Sequence, residues 1–114
     1  MPFHQLPQRQ EDIIRECIVA ITQGPFLEEW EFQMRMGITR AELNTVLAQW
    51  PDFDDSADEA VETLAINNCM NEILNGVFVS PHQSEQWFTG TELEMNEAYK
   101  HWAELRGSTA TGIM

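Results

Sequence analysis

Apolar residues recur every three or four positions through most of this chain, and that period predicts helices. In residues 9–23, Ile13, Ile14, Cys17, Ile18 and Ile21 share one face, and Gly24-Pro25 stops the element. Glu11 and Arg15 form a favourable i,i+4 pair on the other side. A second stripe runs through Leu43, Val46, Leu47 and Trp50, opened by the capping box Thr39–Glu42 and closed by Pro51. The same spacing in Ser56–Glu59 predicts a long helix over 57–75 that ends at Gly76. Thr89 with Glu92, or Thr91 as the cap, opens a last helix. Its inner face is Met95, Ala98, Tyr99, Trp102 and Leu105, and Gly107 ends it.

Two stretches are less clear. Residues 29–36 alternate polar and apolar without a fault, as a half-buried strand does. Phe26, Leu27, Trp30 and Met34 also suit a short helix with a Glu31–Arg35 pair, and only Val77-Phe78-Val79 could supply a partner strand. The helix is the favoured reading. Residues 77–90, with Pro81, Gly90, Trp87 and Phe88, read as a loop. The expected fold is mostly or all α: a compact single domain of four or five helices, with a short β-ribbon at 29–36/77–79 as the variant. Residues 1–8 read as an N-terminal arm and 107–114 as a C-terminal tail.

The 57–75 segment has apolar residues on two sides. Ala60, Val61, Leu64 and Ala65 share one side, and Ile66, Cys69, Met70, Ile73 and Leu74 take the other. Asn67, Asn68, Asn71 and Asn75 extend the first side, although Asn is a mediocre helix former because its amide competes for backbone groups. A central helix whose amides satisfy neighbouring backbone accounts for them best. A hydrogen-bonding face for a partner is the alternative.

Charge then narrows the function. The 114 residues carry 19 Asp and Glu against 6 Lys and Arg, a net charge of −13. Residues 41–99 contain no Lys or Arg and twelve acids. The Phe32–Leu43 stretch has the cadence of a helix-turn-helix, but DNA affinity rests on cations neutralising phosphates, so no direct nucleic-acid binding is expected. No apolar run approaches the ~20 residues of a membrane span, and the N-terminus lacks the pattern of a secretory signal. Cys17 and Cys69 stand apart among apolar neighbours and read as reduced core thiols of a cytoplasmic chain.

Candidate chemistry is sparse. An EF-hand counted from Asp52 puts Ala57 where the turn needs Gly and Thr63 where a bidentate Glu belongs. His4, His82 and His101 stand alone, and there is no nucleophile elbow or glycine-rich phosphate loop. No catalytic residue, metal site or cofactor is expected, and the chain does not read as an enzyme. What remains is the acidity, which attracts basic partners and speeds their capture. The candidate partner-binding residues are Asp52, Asp54, Asp55, Asp58, Glu59 and Glu62, with Trp87 as an apolar anchor. Trp30, Trp50 and Trp102 lie on apolar stripes and read as core.

Phe32-Gln33, Arg35, Gly37-Ile38-Thr39-Arg40, Glu42-Leu43, Trp50-Pro51 and Leu64-Ala65-Ile66-Asn67-Asn68 together resemble a pattern of small uncharacterised bacterial proteins, over residues 30–76. In size, acidity and lack of a catalytic motif the chain is similar in kind to toxin-immunity proteins and phage anti-CRISPR proteins. The expected function is a non-enzymatic inhibitor or immunity protein that occludes a basic partner, a nuclease-type toxin or other nucleic-acid enzyme. A nucleic-acid mimic of the anti-CRISPR kind is the first alternative. A small metal-binding or regulatory enzyme is the alternative of another class.

Overall fold

Residues 2–107 are described by the structure, a computed structural model. Among them are six α-helices and no strand: α1 (Gln8–Gln23), α2 (Glu29–Met36), α3 (Arg40–Gln49), α4 (Val61–Asn71), α5 (Pro81–Trp87) and α6 (Glu92–Leu105). A 3₁₀ turn at Pro2–Gln5 precedes α1, and α4 widens into a π turn at Glu72–Gly76. The helix count therefore exceeds the four or five expected from periodicity. None of the helices is long and apolar enough to cross a membrane.

α1 is the centre of the globule and packs against α3, α4 and α6. Its five expected core residues are all buried, as are Leu43 and Val46 of α3 and Met95, Ala98, Tyr99 and Trp102 of α6. The capping box Thr39–Glu42 forms, with the Thr39 hydroxyl accepting from the Glu42 amide at 3.1 Å. The last helix uses Thr91 with Glu94, so Thr91 rather than Thr89 is its cap. Thr89 instead ties α1 to the start of α6: it receives Arg9 at 2.9 Å, and its amide donates to Glu16 at 2.9 Å.

Residues 29–36 are helical, and no β-ribbon forms with 77–79. The face differs from the one expected. Residues two apart on a helix point about 200° apart at roughly 100° per residue. The alternating apolar set therefore splits into a buried pair, Phe32 and Met36, and an outward pair, Trp30 and Met34. Gly37 ends α2 in the left-handed conformation at φ 72°, which a residue without Cβ adopts freely. Arg40 then closes the corner. It donates to the Thr22 carbonyl at the end of α1 and to Glu29 at 3.2 Å, and its guanidinium lies 4.2 Å from the Phe32 ring centre.

α4 is covered on both sides, as its pattern requires. Asn68 donates to the Met36 carbonyl at 2.6 Å, closing the end of α2, and the Asn67 side-chain oxygen accepts from the Tyr99 hydroxyl at 2.8 Å. Burial raises the Tyr99 phenol from 10.0 to about 12. In the unfolded chain the phenol loses its proton near its ordinary value, about 10. Folding is therefore expected to lose stability as pH rises through roughly 10 to 12, and to keep this contribution in full below that window. Tyr99 is the single tyrosine. An ultraviolet tyrosinate titration should place its midpoint near 12 in the folded protein; a midpoint at the free-phenol value would contradict the packing.

Other segments also differ from expectation. Residues 77–90 contain α5, opened by a Ser80–Gln83 capping box with Pro81 in the first turn. Within the stretch read as an N-terminal arm, Phe3 and Leu6 are buried. The tail expected over 107–114 lies outside the described residues apart from Gly107, which follows α6 at φ 81°.

Candidate protein-binding surface

The acidic run lies in the connection between α3 and α4, and the capping box Ser56–Glu59 does not form there. The helix starts later, after Ala60, without a side-chain cap. Two inward residues hold the connection open. Phe53 packs on Phe3 and Trp50 with ring centres 4.8 and 5.1 Å away. Asp55 is fully buried, and one carboxylate oxygen accepts from the Phe3 amide at 3.0 Å and the Trp102 indole at 2.8 Å. The Asp55 carbonyl accepts from Arg106, which also pairs with Asp58, and the Thr63 hydroxyl reaches the Ala57 carbonyl at 2.6 Å. These ties fix residues 53–58 in a non-helical path.

The expected partner-binding set therefore divides. Asp52, Asp54, Asp58 and Glu59 are exposed. Asp55 is withdrawn from the set: a carboxylate enclosed by a backbone amide and an indole cannot meet a partner. Asp58 is outward but shares the Arg106 guanidinium. Asp54 accepts from the Ser56 amide at 2.8 Å, and hydrogen bonding from the Ser56 hydroxyl and then from its amide holds the carboxyl below the usual value. Glu62 is half-buried and meets Glu42 across a shallow groove of about 250 Å³ between α3 and α4, together with Thr45, Gln49, Val46 and Val61. Asp52, Asp54, Glu59 and Glu62 are left as acids without an ion pair among the described residues.

The tryptophans exchange roles. Trp87, expected as an anchor in a loop, is half-buried on α5 with its ring 6.3 Å from Phe26. Its indole N–H is buried without a partner. Trp30, expected in the core, is 74% exposed beside Met34, with the exposed Glu28 and Glu29 next to it. Trp102 is buried and Trp50 is half-buried against the core.

Most of the cations lie in ion pairs with acids elsewhere in the fold. Arg9, Arg35, Arg40 and Arg106 are engaged within the fold: Arg9 with Glu94, Arg35 with Glu31 and Glu72, Arg40 with Glu29, and Arg106 with Asp58. Only Arg15 and Lys100 carry no ion pair among the described residues, so the expected Glu11–Arg15 pair does not form, and both are exposed on other helices, α1 and α6. Glu94 is held below the usual carboxylate value by the Thr91 amide and by Arg9.

Among the described residues no group of three or more His, Cys, Asp or Glu could hold a metal. Cys17 and Cys69 are buried and unbridged, and burial pushes both thiols up. His101 contacts Gln10 at 2.6 Å and His4 contacts the Pro51 carbonyl at 2.8 Å, so each serves a structural contact. No family model, curated protein or solved structure matches the chain.

Proposed function

We propose that this chain is a non-enzymatic inhibitor of the immunity-protein kind, which binds a basic protein and occludes its nucleic-acid-binding cleft. The observation that carries the reading is the division of charge. Four of the six cations are held in intramolecular ion pairs, while Asp52, Asp54, Glu59 and Glu62 stand at the α3–α4 end without an ion pair among the described residues. Carboxylates presented along the α3–α4 connection and the first turn of α4 offer a basic cleft what phosphates offer it: anionic oxygens. Their field also speeds encounter with a positive partner, by about 10- to 1000-fold in steered complexes. The partner class is therefore a nuclease-type toxin or another nucleic-acid enzyme. No contact with nucleic acid itself is required, and the surface would repel it.

The test is capture from a lysate of the source cells, with elution in steps of increasing salt. The wild-type chain should retain one basic protein in equimolar amount, released at a discrete step. The variant D52N/D54N/E59Q/E62Q should associate roughly tenfold more slowly at low salt and show a flatter salt dependence, because fewer charges are left to screen. Equal retention by the variant, or a scatter of ribosomal proteins from both chains, would overturn the reading.

A further inference from the structure

A second recess lies away from the acidic connection, where the chain leaves α4. Its floor is made of the buried side chains of Ile73, Phe88 and Met95, and its volume is about 300 Å³. Phe78 stands on its rim, 81% exposed, as a large apolar side chain left in water beside an apolar hollow. Two polar residues line the same recess, Ser84 and Glu92, and Glu92 is exposed and in no ion pair among the described residues. Every lining residue falls within 73–95, inside the stretch that contains no Lys or Arg. The recess is thus apolar below, aromatic at one edge and purely negative in formal charge.

These features define the occupant. The volume sits at the lower limit of small-molecule pockets, which suits one or two side chains better than a nucleotide or large cofactor. The unopposed carboxylate asks for a cation next to the apolar group. We propose that the recess receives a bulky apolar side chain of the basic partner, with a neighbouring Lys or Arg of that partner set against Glu92. This rests on the reading of a basic partner and gives that partner an apolar anchor that charge alone does not supply. A second copy of the chain is a poor occupant, because it too carries −13 and its arginines are largely engaged internally.

The smallest probe with the required chemistry is 2-phenylethylammonium, and 3-phenylpropionate offers the same ring with the opposite charge. Titrated into the isotopically labelled chain, the ammonium should give saturable amide shifts at Val77–Val79, Ser84 and Glu92. The carboxylate should bind roughly tenfold or more weakly, since attraction at Glu92 becomes repulsion. Glu92→Gln should weaken the ammonium about threefold or more. Ser84→Phe, which fills the recess from α5, should abolish the saturable shifts while leaving the α1 and α3 resonances in place. Shifts scattered over residues 52–62 with none at the recess, equal binding of both probes, or an unchanged affinity in Glu92→Gln would overturn the assignment. The probe reads the recess without any partner present, so its failure leaves the capture result standing, whereas a failed capture with saturable probe binding removes the basic partner and leaves the recess's preference for a cationic aromatic group.

Discussion

Replacing Asp55 with alanine is expected to lower the unfolding free energy by about 3–5 kcal/mol, because two buried donors lose their acceptor and each costs roughly 1–3 kcal/mol unpaired. The donors are the Phe3 amide, at 3.0 Å, and the Trp102 indole N–H, at 2.8 Å. They come from opposite ends of the chain, so the carboxylate joins the first turn to α6 through the α3–α4 connection. For a single domain of total stability about 5–15 kcal/mol, such a loss leaves little in reserve. Asp55→Asn keeps one acceptor oxygen, and its amide nitrogen would occupy the place of the carboxylate oxygen that is buried without a partner. The expected loss is then smaller, about 1–2 kcal/mol. Urea unfolding followed by tryptophan fluorescence measures both. A loss in Asp55→Ala within the roughly 0.5 kcal/mol range of surface substitutions would mean that the side chain faces water after all.

Phe32→Ala is expected to cost about 3–5 kcal/mol, the usual range for truncating a buried phenylalanine. Trp30→Ala, on the same short element, should stay within about 0.5 kcal/mol of wild type. The contrast follows from the helix. Phe32 is 2% exposed and carries the Arg40 guanidinium on its face, whereas Trp30 is 74% exposed. A half-buried strand over 29–36 would place Trp30, Phe32, Met34 and Met36 on one side, and the two truncations would then cost alike. Paired denaturation curves separate the two structures directly. Equal losses would contradict α2 as described.

What could be read from the sequence was what is encoded locally. The stripes of α1 and α6 repeat at the helical period, and Thr39 and Glu42 cap each other within four residues, so both were visible without a fold. The existence of α2 was visible; its orientation was not, because alternation in a helix gives two equally apolar faces and only the packing of Arg40 and Asn68 decides between them. α5 escaped detection because it buries no residue fully, which leaves no stripe to find. Its signal was the Ser80-Pro81-His82-Gln83 capping sequence. The candidate surface shows the same division. The excess of acids was plain from composition, but nothing near Asp55 distinguishes it from Asp54. Its partners lie 52 and 47 residues away, and only the fold brings them together. The engagement of four arginines with distant or helix-neighbouring acids was equally invisible beyond the i,i+4 pair Glu31–Arg35.

The most direct measurement of the inhibitor reading is a titration of the captured basic protein's nucleic-acid-processing activity with the purified chain. The reading predicts complete inhibition at an equimolar ratio, relief by excess competing nucleic acid, and a rightward shift of the curve for D52N/D54N/E59Q/E62Q. Activity that is untouched at equimolar chain, or inhibition that nucleic acid cannot relieve and the fourfold neutralisation leaves unchanged, would contradict it.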